Sequence, residues 1–242
     1  MRCPREKLVF IAVLFFFLFF NLSPASSFIV PERLEYDLKW QGIKAGTAVL
    51  EIKEDIGGTR IVSTAKSAKF ISLFYLVDDR IESVVEKGLY PVHYSIRLKE
   101  GRHRRDKEII FDRKAGKARH IDHLKDEKKE IDLPDNVFDP MSGFYHMRTQ
   151  KLSVGSPFFI KVFDSKRVWD MEVKVLRKER IETAIGTFDT IVVKPLMQSE
   201  GIFYRKGEIL IWLTDDEKKI PVRLSSKVKI GSIVAELTGG SF

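Results

Sequence analysis

In the stretch LEYDLKW, Leu34, Tyr36, Leu38 and Trp40 alternate with Glu35, Asp37 and Lys39. A period of two is the pattern of a strand with one dry face and one wet face. TAVLEIKE repeats it, with Ala48, Leu50 and Ile52 on the inward side. Between them QGIKAG reads as a hairpin connection, because its two glycines tolerate the positive φ of a tight turn. The same texture runs through TRIVSTAKS, RIESVVEK, VHYSIRLKE, KEIIFDRK and KARHIDHL. It returns in PFFIKVFD, VWDMEVKVLRKERIET, FDTIVVKPLM, EILIWLT and PVRLSSKVKIGSIVAELTG. Gly116, Gly186 and the stretch TDDEKK mark turns between runs. Two places break the alternation. AKFISLFYL (68–76) reads as a short helical turn capping the sheet. DPMSGFYHMRTQ (139–150) reads as a helix, with Asp139 as cap, Pro140 in the first helical position, and Phe144 and Met147 near one face.

About a dozen strands with short connections predict an all-β protein, a large antiparallel meander. Open sheets beyond about ten strands tend to curl or split, and curling also removes exposed edges. The expectation is therefore a partly closed barrel with one short helix near 139–149. VKIGSIVAEL (228–237) has the texture of the first hairpin, which predicts that the two lie side by side where the curled sheet nearly closes. The concave face must then be filled, by that helix or by a ligand. No Pro/Gly/Ser-rich linker interrupts residues 28–242, so one domain is expected there.

The first residues change the compartment. Arg2, Arg5 and Lys7 precede the apolar run from Leu8 to Phe20, the layout of a secretory signal peptide. The run falls short of the ~20 residues that span a bilayer as a helix. Ala25 and Ser27 are small residues at −3 and −1 of a cut before Phe28, so residues 1–27 are expected to be a signal peptide and the protein periplasmic. An uncleaved anchor is the alternative. Cys3, the one cysteine, lies before the apolar run, whereas a lipid-bearing cysteine would follow it. A lipoprotein is thus not expected. Residues 28–242 contain no cysteine, which removes disulfides, thiol catalysis and cysteine-bound metal.

The formal charge is +8. The leader supplies +2 of it, and residues 97–129, with thirteen Lys/Arg against seven Asp/Glu, hold +6. The basic excess outside the leader is therefore local. Export argues against nucleic acid; the polyanions of an envelope are lipid headgroups and acidic glycans. Arg102, Arg104, Arg105, Arg113 and Lys114 are the candidate residues for binding such an anionic surface. The plainer alternative is a pair of long hairpins wet on both faces.

Several patches in order, YDLKWQGIKAGTAVLEI, GLYPVHYSIRLKEG, DPMSGFYHMR, GTFDTIVVKP and ILIWLTDDEKKIPVRLSSKVKIGSIVAEL, resemble the bacterial domain-of-unknown-function family numbered 3108. The resemblance runs from about Glu32 to Leu237. It implies an exported, mostly β protein, and it brings no catalytic residues.

Chemical motifs are few. Ser142 and His146 lie four apart on the expected helix, close enough to touch, but no orienting group or oxyanion hole is signalled. His120 and His123 lie three apart in an expected strand and so point to opposite faces, which reads as solvated hairpin positions rather than a metal site. The adjacent acids Asp78–Asp79 and Asp215–Asp216 read as turn chemistry. No catalytic group, metal or cofactor is expected. The leading reading is a non-enzymatic envelope protein that binds an apolar or lipid-like ligand, an anionic envelope surface or an envelope partner. A structural assembly factor without ligand and an envelope hydrolase with an unrecognised site are the alternatives.

Overall fold

A computed structural model describes residues 28–164, 166–196, 208–227 and 231–242. The expected signal peptide lies outside the described residues. The first elements are β1 (Glu32–Trp40), β2 (Ile43–Asp55), β3 (Gly58–Ser67), the short α1 (Lys69–Ser72), β4 (Asp78–Glu86) and β5 (Tyr90–Glu100). Next come β6 (His103–Asp112), β7 (Lys117–Asp122), β8 (Glu127–Asp132), β9 (Val137–Phe138) and α2 (Pro140–Thr149). Then follow β10 (Phe158–Asp164), β11 (Arg167–Thr183), β12 (Gly186–Pro195), β13 (Ile209–Thr214), β14 (Pro221–Lys227) and β15 (Ser232–Ser241).

The fifteen strands of the described residues form one sheet, in the order β8-β7-β6-β5-β4-β3-β2-β1-β15-β14-β13-β12-β11-β10-β9. The expected meander is thus observed, with one parallel pair, β9 beside β10. β1 and β15 are neighbours as expected, with Tyr36 opposite Leu237 and Trp40 opposite Ile233. They sit in the middle of the sheet, however, not where it nearly closes. Its free edges are β8 and β9, which follow one another in the chain. In the first hairpin only Gln41 and Gly42 form the turn, both at positive φ. Gly46 belongs to β2, where a Cβ would stand 2.2 Å from the Lys66 carbonyl oxygen.

The sheet overlaps itself instead of closing. Ile160 and Val162 of β10 pack with α2 and the inner faces of β11–β13. Phe163, on the opposite side of β10, packs among Tyr94, Ile109, Phe111 and Ala118 of β5, β6 and β7. The β9–β10 edge is therefore tucked beneath the β5–β8 edge, as in a scroll.

α2 fills the hollow. The Asp139 carboxylate accepts from the N–H groups of Met141 (2.7 Å) and Ser142 (3.1 Å), and Ser142 Oγ accepts from the Asp139 N–H at 3.0 Å. Ser83 Oγ donates to the same carboxylate at 2.5 Å. The cap is therefore tied to β4 as well as to its own helix. Met147 joins Val173, Val175, Ile191 and Val193 on one side, while Tyr145 meets Phe28, Ile52, Ile61 and Val85 on the other. At its end Arg148 is fully buried and grips Glu32 of β1 through two hydrogen bonds of 2.7 and 2.8 Å.

Alternate connections of a meander share an end. The β1–β2 turn, the α1 segment, the β5–β6 turn and the β7–β8 turn all lie at one end, called here the α1 end. Glu32, Arg148 and the β6–β7 turn lie at the other.

Candidate functional site

α1 buries none of its residues. In the segment it opens, Phe70, Tyr75 and Leu76 are exposed, Leu73 is 81% exposed and Phe74 88%. The backbone here is nonetheless held. The Ser67 N–H donates to the Val77 carbonyl at 2.9 Å, and the Ser72 hydroxyl donates to the Ala68 carbonyl at 3.0 Å. The Gly101 N–H donates to the Leu76 carbonyl at 2.7 Å, which ties the segment to the β5–β6 turn. Gly101 has φ +54°, and a Cβ there would stand 2.6 Å from the Tyr75 ring. Only glycine suits both the conformation and the ring. Trp40 and Ile43, also exposed, lie at the same end.

The β5–β6 turn and the start of β6 carry three of the five candidate basic residues. Arg102 and Arg104 are exposed, and Arg104 donates back to the carbonyls of Gly101 (2.7 Å) and His103 (2.8 Å). Arg105 is half-buried and donates to His103 Nε2 at 3.0 Å. Arg113 and Lys114 lie in the β6–β7 turn at the opposite end. Arg113 donates to the Val137 carbonyl at 2.6 Å and its guanidinium lies 4.5 Å from the Tyr90 ring centroid, so it braces β9. The five residues do not share one surface.

Nor are the basic hairpins wet on both faces. Ile109, Phe111, Ala118, His120 and Asp122 are buried on the inner side of β6 and β7. His120 is 0% exposed, and neither ring nitrogen has a hydrogen-bond partner among the described residues. The expectation of a solvated hairpin histidine fails because the β10–β11 hairpin covers it. Lys166 of that hairpin is paired with Glu127. Burial, with Lys107 and Lys166 nearby, holds the His120 imidazole below its ordinary value near 6.5, and hence neutral. Burial works to raise Asp122, yet Lys107, with its Nζ at 3.4 Å, and two backbone N–H groups keep its carboxyl low. His123 sits in the following turn against Glu108, so the two histidines do not converge. Among the described residues no group of three or more His, Cys, Asp or Glu could hold a metal ion.

An acid pair from β4 and β5 joins this inner row. Asp79 of β4 stands beside the buried Glu100 of β5, so that the charge of one disfavours ionisation of the other. Burial, and then the Asp79 charge, push Glu100 from 4.5 up to about 7. The folded chain thus holds a proton that the unfolded chain releases. Its contribution to stability is complete below pH 4.5 and is lost as pH rises through about 7. Glu100→Gln, neutral at every pH, is expected to remove a fall of order 2–3 kcal/mol between pH 5 and 8. Urea midpoints of both proteins across that range test it; parallel curves would refute the assignment. His120 acts in the opposite sense, since its contribution is present above 6.5 and lost as pH falls, which is why the comparison is made at Glu100. Periodicity marks i, i+2 pairs such as His120–Asp122 as sharing a face, but not as facing inward.

The other motifs serve the fold. Ser142 Oγ is occupied by the α2 cap, and His146 stacks on Phe138 with centroids 4.2 Å apart, so the two are not brought together as nucleophile and base. Asp216 accepts from Thr214 Oγ1 (2.7 Å) and the Lys219 N–H (2.9 Å), the turn role expected of it.

An overlapping antiparallel sheet wrapped on one helix belongs to the β-barrel-like class. The chain superposes on a crystal structure described as a beta-barrel-like protein of domain of unknown function DUF1849 from Brucella abortus, with TM-score 0.56 and 13% identity over 88% of this chain and 98% of that one. At that identity the likeness is one of fold. Weaker superpositions link it to a hypothetical protein of Chlamydia trachomatis (TM-score 0.39, 8% identity, 86% of this chain and 85% of that). Another is to a Bacteroides fragilis protein described as exported, with a YmcC-like fold (TM-score 0.35, 10% identity, 89% and 97%). No curated protein matches the sequence. The chain belongs to the family described as protein of unknown function DUF3108, which matches residues 35–238. No helix among the described residues is long and apolar enough to cross a membrane.

Proposed function

We propose that this protein is exported to the periplasm and works as a non-enzymatic envelope protein that engages an apolar, lipid-like partner at its α1 end. One observation carries the reading: Leu73 and Phe74 stand almost wholly in water on a hydrogen-bonded segment. Contiguous exposed apolar side chains on a folded protein mark interaction sites. The basic head, short apolar run and small residues before Phe28 support export.

Protein purified from its own envelope is expected to begin at or near Phe28 and to carry a lipid adduct in native mass spectrometry. The adduct is expected to vanish in the Leu73→Ser/Phe74→Ser variant. A chain retaining Met1 that resists extraction would show an anchor instead of a cleaved leader. A bare wild-type chain, or an adduct indifferent to the two substitutions, would overturn the partner reading.

A further inference from the structure

We infer that the partner is an anionic membrane surface, met with the α1 end first, Leu73 and Phe74 entering the apolar layer while Lys69, Lys99, Arg102 and Arg104 meet lipid phosphates. The inference rests on the proposed lipid-like partner and adds its charge and the docking orientation. Two segments far apart in sequence, 70–76 and 101–104, form one structural unit here. The Gly101 N–H to Leu76 carbonyl bond and the Tyr75 ring lying over Gly101 hold them together. Phe74 therefore cannot leave water without bringing the arginines of the next turn toward the same plane.

The charges around the apolar tip are predominantly basic. Across 66–79 and 97–105 the exposed charged residues are Lys66, Lys69, Arg97, Lys99, Arg102 and Arg104, with His103 among them; of the acids there, the Asp78 side chain reaches solvent, 45% exposed. The acids nearest the tip are set back or paired: Glu100 is buried, Asp79 faces it, and Asp78 has Lys99 Nζ at 3.7 Å. A groove on a protein partner would satisfy the apolar side chains, but it would not call for a predominantly basic surround. A phosphate-bearing surface suits both, since apolar insertion and the attraction of basic side chains to anionic lipid add in membrane binding. Tyr75, half-exposed between the apolar tip and the basic turn, has the amphipathic character of residues at the headgroup level.

The test is co-sedimentation of the purified protein with vesicles of phosphatidylcholine alone and with one-quarter phosphatidylglycerol. Binding is expected to be roughly tenfold or more stronger to the anionic vesicles. It should fall steeply from low to moderate salt, since exposed charges are screened over about 8 Å at physiological ionic strength. Arg102→Gln/Arg104→Gln is expected to remove the anionic preference, and Leu73→Ser/Phe74→Ser to weaken binding to both vesicles. Lys114→Gln, at the far end, should change neither. All these side chains are exposed, and unchanged circular dichroism confirms folding of each variant. Equal binding of wild type to neutral and anionic vesicles would overturn the inference and leave the apolar-partner reading standing. Failure to bind either, with no co-purified lipid, would overturn both. An anionic preference untouched by the arginine substitutions would place the surface elsewhere and also sink the inference.

Discussion

Arg148→Ala is expected to lower folding stability by about 3–5 kcal/mol, because it leaves the Glu32 carboxylate buried without its counter-charge. In the native chain Arg148 donates to both Glu32 oxygens, the Tyr145 hydroxyl donates to one of them at 3.2 Å, and Arg148 also reaches the Lys218 carbonyl at 3.0 Å. The ion pair therefore joins α2, β1 and the β13–β14 turn, three segments distant in sequence. Removing both charges should cost less than removing one. Glu32→Gln/Arg148→Met is accordingly expected to be more stable than Arg148→Ala, since neither partner then holds an uncompensated charge in the interior. Urea unfolding of the three proteins decides. A loss under about 1 kcal/mol for Arg148→Ala would mean that water reaches Glu32 and that α2 does not seal this end.

The second large effect separates two phenylalanines of one strand. Phe159 and Phe163 are four apart in β10 and so share a side, yet Phe159 is 65% exposed and Phe163 is 0%. Phe163→Ala is expected to cost about 3–5 kcal/mol, the usual range for emptying a packed aromatic site. Phe159→Ala should stay within about 0.5 kcal/mol, as for exposed positions generally. The difference comes entirely from the overlap of the β9–β10 edge with β5–β7. Phe163 sits edge-on to Phe111, with centroids 5.7 Å apart, and only a lapped sheet brings those strands together. Equal costs at the two positions would rule out the overlap.

The basic stretch shows how composition misleads when the chain folds back. Residues 97–129 form a continuous run of charge in sequence, but they fold into the end of β5 and the two hairpins of β6, β7 and β8. Each turn of a meander reverses direction. Arg102 and Arg104 therefore emerge at the α1 end and Arg113 and Lys114 at the other, where Arg113 is held by Val137 and Tyr90. The apolar segment 68–76, read from sequence as a helical cap on the sheet, is the stronger functional signal. Its exposure became visible only with its neighbours in place.

By itself, the sequence determined what depends on residues a few positions apart. The alternation of Leu34, Tyr36 and Leu38 with charged residues specifies a strand, and Asp139 with Pro140 specifies a helix start, because both patterns express local geometry. β8 escaped that reading because it is charged along most of its length, as suits a sheet edge where charge discourages further pairing. The tertiary structure alone decided the position of the edges, the parallel pairing of β9, the burial of His120 and the grip of Arg148 on Glu32. Each depends on contacts between residues tens of positions apart. A strand's own sequence states which residues share a face; whether that face meets solvent, a helix or the far edge of the same sheet is settled by how the whole sheet curls.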